Sequence, residues 1–238
     1  MVRRPAAVLA VLVATQAYFL LAPELPVFAD ADLGVFVAAA CGLLGVIGCI
    51  AVIVPASDTT PLVMLICAGA FFLVAALNVA NVGAAATPVE AIAYAAGGAL
   101  FAVGLLAPSL AIALPVFVAA VDLVSIVFGG PSQLLATAGH TEAGDPLSLE
   151  LPGWGTHLPA GRLGISDAVF AGVFLVYARR FGLREGATAV GLLVAALTAV
   201  ALDLWLDAAV PVLPLMAVAY ILVNVDRLPG LMYPELRR

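Results

Sequence analysis

Eight long apolar segments follow one another along this chain, and they constrain its fold more than any other feature. Each is close to the length of about 20 residues that a helix needs to cross roughly 30 Å of hydrocarbon. Strands of membrane barrels instead alternate polar and apolar residues over segments of about ten. The continuous runs therefore predict an all-α, polytopic membrane bundle of about eight transmembrane helices. The segments cover approximately residues 6–23, 33–54, 61–82, 88–107, 109–128, 162–178, 187–206 and 208–225.

The composition supports lipid as the solvent of this chain. Only 10% of the residues are charged and 65% are hydrophobic, whereas soluble domains carry roughly 25% charged residues. We therefore expect a multi-pass protein of the cell membrane, with the bilayer as a partner. Nucleic acid is not expected as a partner, because the sequence has no basic stripe. Neither disulfides nor a thiol nucleophile are expected, because a thiol within an apolar run behaves as a small hydrophobe. The three cysteines in such runs are Cys41, Cys49 and Cys67.

The segments divide into two halves of about four spans each, residues 1–108 and residues 109–238, which we expect to form one bundle. The first segment follows Arg3 and Arg4, as the apolar part of a signal peptide would. Its apolar stretch is long for a cleavable signal, so we expect it to remain as a span.

The arginines predict the orientation, since all nine basic residues are Arg. With eight spans, eight of the nine fall on the side of both termini. Only Arg162 falls on the other side, together with Glu142, Asp145 and Glu150. Cytoplasmic loops are enriched in Arg and Lys. We therefore expect both termini in the cytoplasm and the loop 129–161 outside.

Two aspartates lie within predicted spans, where a carboxylate costs about 2.5–3.5 kcal/mol on insertion scales and is usually functional. Asp122 precedes the end of the fifth span by about six residues, or roughly 9 Å, and Asp167 follows the start of the sixth span by a similar distance. Both spans meet at the loop 129–161, so the two carboxylates share one depth. The eighth span starts from the same side, at Pro211 and Pro214.

A pair of carboxyl groups at one depth allows specific chemistry. Two carboxyls within hydrogen-bond reach share a proton and titrate as a coupled pair. One can then activate water as a general base while the other donates a proton to a carbonyl oxygen. On spacing alone, two other readings stay open. Each Asp is a lone interhelical hydrogen-bonder, or both are the proton or ion sites of a transporter.

Three segments resemble the motifs of the presenilin and signal peptide peptidase family of intramembrane aspartyl proteases. The first is Asp122-Leu123-Val124-Ser125-Ile126-Val127, followed by Gly130-Pro131, which is similar to Y-D-L-V-A-V-L with a later Gly-Pro. The second is Arg162-Leu163-Gly164-Ile165-Ser166-Asp167, similar to K-L-G-L-G-D. The third is Pro211-Val212-Leu213-Pro214, similar to P-A-L-P. The order and the helices that carry the motifs also resemble the family.

The resemblance implies a presenilin-like bundle that cleaves transmembrane helices. Asp122 and Asp167 would be the catalytic pair, and Gly164, Ser166 and the 211–214 motif would hold the substrate. The implied substrate is a single-span transmembrane protein or a signal-peptide remnant, with no metal or cofactor. The external loop resembles signal peptide peptidase in orientation, which favours substrates with a cytoplasmic N-terminus.

Three residues depart from the family motifs: Val121 replaces Tyr, Ser166 replaces Gly, and Val212 replaces Ala. An inactive relative that acts as a scaffold therefore stays open beside the protease. A small proton-coupled transporter that uses the same aspartates is the other alternative. The two halves show no convincing internal repeat of the kind that transporters often carry.

Several other polar residues favour structural readings. His140 and His157 lack the short ligand spacing of a metal site, so we expect them to be solvated in the loop. The alternation over 147–151 is typical of a half-exposed strand. In the family that the motifs resemble, the unwound substrate pairs as a strand near this loop. A surface turn ended by Pro152 is favoured here. Glu90, near a span end, is expected to be solvated there.

Overall fold

The computed structural model describes residues 5–80, 82–127, 148–208 and 210–232, and these residues are mostly helical. A helix overlaps each of the eight predicted segments. The long helices are α1 (Pro5–Leu21), α2 (Ala31–Ile53), α3 (Thr60–Val79), α4 (Thr87–Gly104), α5 (Leu110–Val127), α6 (Ile165–Arg180), α7 (Glu185–Leu206) and α8 (Val212–Asn224), and a short α9 (Pro229–Met232) follows. The strands are β1 (Ser148–Leu151) and β2 (Gly161–Gly164).

Five of the described helices are long and apolar enough to cross a membrane. They occupy Ala6–Glu24, Ala31–Asp58, Thr60–Val79, Gly83–Gly104 and Glu185–Leu206. Two further apolar helices, Leu110–Ser125 and Val212–Asn224, are shorter. These long apolar helices indicate that the chain is a helical membrane protein.

Local sequence explains where the helices begin. Asp30 caps α2, because its Oδ1 accepts a hydrogen bond of 3.1 Å from the Leu33 N–H. Pro61 and Pro88 lie in the first turns of α3 and α4, where a missing N–H removes no helical hydrogen bond. Asp207 ends α7 in the left-handed conformation, with φ of 50°. Pro211, in extended conformation, then precedes α8, so this helix begins at residue 212 rather than near 208.

The connections between helices collect at two ends of the bundle. At the hairpin end, which carries β1 and β2, the Gly155 N–H donates to the Ala22 carbonyl oxygen at 2.9 Å, so the end of α1 lies beside the hairpin. The Thr87 hydroxyl donates to the Glu150 carbonyl oxygen at 2.8 Å, so α4 starts there too.

At the opposite end, which we call the arginine end, Arg179 forms an ion pair with Asp58. This pair joins the end of α6 to the connection between α2 and α3. Arg184 pairs with Asp226 at 2.8 Å and joins the start of α7 to the residues after α8. The Tyr177 hydroxyl donates to the Leu105 carbonyl oxygen at 3.1 Å, so α4 ends there as well.

Helix α6 lies at the centre of the bundle, and the run from Val173 to Ala178 is fully buried. It packs most extensively on α4. The two backbones meet at glycines, since a Cβ on Gly98 would lie 2.2 Å from the Val169 carbonyl oxygen. A Cβ on Gly172 would likewise lie 2.9 Å from the Ala95 oxygen. This close approach determines where α6, and with it Asp167, sits in the bundle.

The two strands correct two predictions. The sixth helix was expected to begin near Arg162, but residues 161–164 form β2, which pairs antiparallel with β1, so α6 begins at Ile165. A turn was favoured over 147–151, yet Ser148–Leu151 is a strand whose Leu149 and Leu151 are buried. Their burial in the core stabilises the strand. Leu147 and the 129–147 part of the predicted external loop lie outside the described residues.

Candidate functional site

Asp122 lies on the inner face of α5. The least exposed positions of this helix recur every three to four residues, the period of one helix face. These positions are Ala111, Pro115, Val118, Asp122 and Ser125. The neighbours of Asp122, by contrast, are about half exposed, with Val121 at 50% and Leu123 at 48%. The helix period therefore places the Asp122 carboxylate on the face of α5 that is turned toward the bundle.

Asp167 is the third residue of α6 and is 8% exposed. Its Oδ2 accepts a hydrogen bond of 3.1 Å from the backbone N–H of Gly164, which lies at the N-cap in extended conformation. An acidic side chain in the first turn also complements the helix dipole. The end of β2 and the start of α6 thus hold this carboxylate in one orientation, and it has a structural role as a cap.

The structure brings the two aspartates together. Helix α5 packs mainly on α8 and also contacts α6. The carboxyl groups of Asp122 and Asp167 are near enough for their charges to interact. They lie at the hairpin end of two neighbouring helices. A pair of carboxyls that interact by charge titrate as a coupled pair, and they share a proton if they come within hydrogen-bond reach. The arrangement is compatible with acid–base chemistry and with a polar contact between helices.

Gly164 lies beside the Asp167 carboxylate, and Ser166 precedes Asp167 in the first turn of α6. A Cβ on Gly164 would lie 3.2 Å from Asp167 Oδ2 and 3.4 Å from Ser166 Oγ. The Ser166 side chain is exposed. Glycine at 164 therefore leaves room for the carboxylate, whereas the hydroxyl at 166 points away from the core.

The 211–214 motif forms the start of α8. Pro211 is its N-cap, and Pro214 is its third residue, where no helical N–H is required. Leu213 is buried and begins an inner stripe that continues through Met216 and Tyr220. The motif thus anchors, at the hairpin end, the helix on which α5 packs.

Aromatic side chains fill the bundle between the aspartates and the arginine end. Phe170 and Phe174 lie along α6, with ring centroids 6.3 Å apart. Phe174 stacks on Tyr220 of α8 at 5.0 Å. Tyr177 follows one turn later and is fully buried. We call these four side chains the aromatic column.

Glu90 is not solvated at a helix end as expected, because it is only 6% exposed. Its carboxyl group interacts with that of Glu150 on β1. Sequence position alone does not reveal this burial, because the strand that covers Glu90 lies about 60 residues later. Asp203 and Asp207, two other acids near span ends, are exposed.

The histidines form no recognisable metal site in the described residues. His157 pairs with Glu24 at 3.9 Å on the surface, and both side chains are largely exposed. His140 lies outside the described residues. Across the described ranges, no group of three or more His, Cys, Asp or Glu side chains converges as metal ligands do.

Comparisons with known proteins add no family assignment. No family model matches this chain, and neither a curated protein nor a solved structure matches it.

Proposed function

We propose that this protein is an intramembrane aspartyl protease that hydrolyses transmembrane helices with Asp122 and Asp167. The observation that carries the proposal is that these two carboxyls, at one end of neighbouring membrane helices, are near enough for their charges to interact. A carboxylate inside a membrane span is costly and usually functional. The resemblance of the three motifs to presenilin and signal peptide peptidase supports the same function.

In the proposed topology all eight long helices cross the membrane and both termini are cytoplasmic. Helix α6 is surrounded by protein, so it can cross the membrane without a lipid-facing apolar surface. The alternation of the helix connections between the two ends supports eight crossings. Four of the five described arginines lie at the arginine end, namely Arg179, Arg180, Arg184 and Arg227, which supports a cytoplasmic position for this end.

The proposed reaction uses one ionised and one protonated carboxyl. The carboxylate removes a proton from water, and the water oxygen attacks the scissile carbonyl carbon. The other carboxyl donates its proton to the carbonyl oxygen. The tetrahedral intermediate then collapses. One of its hydroxyl groups returns a proton to the carboxylate that had donated one, the C–N bond breaks, and the leaving nitrogen takes the proton held by the carboxyl that had activated the water. The chemistry forms no covalent intermediate with the protein.

The surroundings of Asp122 suit a substrate that arrives from lipid. Exposed apolar residues of α5, among them Phe117 and Val124, flank the inner face that carries Asp122. A substrate helix lying against α5 reaches this carboxylate without passing through the bundle. Water comes from the hairpin end, because the aromatic column fills the path toward the arginine end. A filled path also favours hydrolysis over carriage of a solute.

The test is cleavage of a single-span substrate with a cytoplasmic N-terminus in proteoliposomes. Asp122→Asn and Asp167→Asn should each reduce cleavage by at least about 100-fold, because each carboxyl has its own proton-transfer role. Asp203→Asn is the matched control, since Asp203 is an exposed acid near the same end. It should cleave at the wild-type rate.

Undiminished cleavage in either variant would contradict the protease proposal. Aspartate-dependent uptake of a small solute into the same vesicles would favour the transporter. A folded wild-type protein with neither activity would favour the inactive scaffold.

A further inference from the structure

The described residues contain a second pair of carboxyls beside the proposed catalytic one. Glu90, in the first turn of α4, is 6% exposed, and its carboxyl interacts with that of Glu150 on β1. The Glu150 side chain is itself only 12% exposed. Two carboxyls thus lie in the seam between α4 and the β-hairpin. The proposed hydrolysis uses neither of them.

In the part of the chain that the structure describes, Arg162 is the arginine that pairs with one of these glutamates. Arg162 of β2 donates to Glu150 Oε1 at 3.0 Å, directly across the strand ladder. When both glutamates are ionised, one negative charge in the seam therefore has no balancing cation among the described residues. Burying an uncompensated charge is costly, and a bound proton removes that cost.

The surrounding elements bring no second cation to Glu90 among the described residues. Helices α1, α2, α3 and α6 also pack on α4, but within the described ranges the charged side chain that interacts with Glu90 is that of Glu150. Asp167 of α6 has Asp122 as its charged neighbour. The charge balance of the seam therefore depends on Glu90, Glu150 and Arg162.

The seam holds the hairpin on the bundle. The Thr87 hydroxyl, one turn before Glu90, donates to the Glu150 carbonyl oxygen at 2.8 Å. The far end of the hairpin is attached separately, where Trp154 contacts Phe28 at 5.2 Å between ring centroids. Because β2 leads directly into α6, movement of the hairpin base changes the surroundings of Gly164 and the Asp167 carboxylate.

We propose that Glu90 is a proton-sensitive latch: its neutral form seats the base of the β-hairpin on α4, and its ionised form releases it. Repulsion between Glu90 and Glu150 then adds to the cost of the buried charge. Stability that requires the protonated form is present at low pH and is lost as the pH rises. The latch is independent of whether the aspartates hydrolyse peptides.

Amide hydrogen exchange of the full chain in nanodiscs tests the latch. The exchange rate of residues 148–151 and 161–164 is measured from about pH 5 to about pH 9 in wild type and in Glu90→Gln. At each pH the wild-type rate is divided by the Glu90→Gln rate, and this ratio cancels the intrinsic pH dependence of exchange. This ratio should stay near one at low pH and rise to about threefold or more at high pH, since local opening exposes the ladder.

Two further variants make the outcome unambiguous. Glu24→Gln removes an exposed carboxylate that pairs with His157 at the far end of the hairpin, and it should keep the wild-type pH dependence. Glu150→Gln removes the repulsion between the two carboxyls but leaves Glu90 buried, so it should reduce the pH dependence, which provides the test if Glu90→Gln does not fold. A wild-type to Glu90→Gln ratio that stays at one over the whole range overturns the latch. Loss of the pH dependence in Glu24→Gln overturns it as well.

Discussion

Asp167 combines two tasks within the first turn of α6. Its Oδ2 caps the helix through the Gly164 N–H, and the same carboxyl is near enough to Asp122 for the two charges to interact. A carboxylate fixed by a backbone donor keeps its position without help from a flexible side chain. The precision of this arrangement depends on the residue at 164, where a side chain would press on the carboxylate.

Gly164→Ala should lower cleavage about tenfold while it costs at most about 1 kcal/mol of stability, because misplacing a reacting group affects rate more than folding. The backbone at 164 has φ of −64°, so alanine adds no conformational strain. The new Cβ would lie 3.2 Å from Asp167 Oδ2. Gly161→Ala is the control, since its Cβ would meet only Leu151 at the ordinary distance of 3.8 Å. Equal cleavage rates and equal melting temperatures in the two variants would argue against a crowded carboxylate.

At the scale of elements, the crossing of α4 and α6 is the contact on which the site depends. Glycines at 98 and 172 let the two backbones approach as closely as small residues allow in membrane proteins. Helix α4 also carries the latch residue Glu90, so this crossing relates the hairpin seam to the aspartate pair. Helix α8, which begins directly after Pro211, packs on α5.

Gly98→Ala should destabilise the protein by about 1–3 kcal/mol, the usual cost of overpacking. The new Cβ would lie 2.2 Å from the Val169 carbonyl oxygen, so the helices must separate. Gly97→Ala is a matched control in the same helix, because its Cβ would approach only Phe71, at 3.9 Å. Alanine at 97 should be neutral or stabilising by up to about 1 kcal/mol, as alanine favours a helix interior. Denaturant titration in mixed micelles measures both, and equal midpoints would exclude the proposed close contact.

For the molecule as a whole, the two ends differ in charge and in the way they are held. The arginine end ties the helix connections together with ion pairs, in which Arg179 reaches both Asp58 and Glu185. The hairpin end instead carries Arg162 among several acids, and backbone hydrogen bonds of the hairpin hold its connections. This difference in charge is the one expected if the arginine end is cytoplasmic, because cytoplasmic loops are enriched in Arg and Lys.

The proposed orientation predicts the behaviour of reporter fusions. A reporter at the C-terminus should be active only in the cytoplasm, and one inserted within the loop 129–147 should be active only outside. The reason is that the positive charge near the short connections sets the orientation. A C-terminal reporter active outside would reverse the assignment and turn the aspartate pair toward the cytoplasm.

Hydropathy by itself determined that this chain is a helical membrane protein and where its long helices lie, because solvation by lipid acts on each segment locally. The position of Asp122 on an inner face also follows from helix period, once the neighbouring apolar residues are assigned to lipid. Only the tertiary structure decided that residues 161–164 form a strand. They were expected to begin a helix, and they form a strand because they pair with β1. The tertiary structure alone decided the burial of Glu90 beside β1. These features depend on which helices and strands pack together, and that choice is made by side-chain fit between segments distant in the chain.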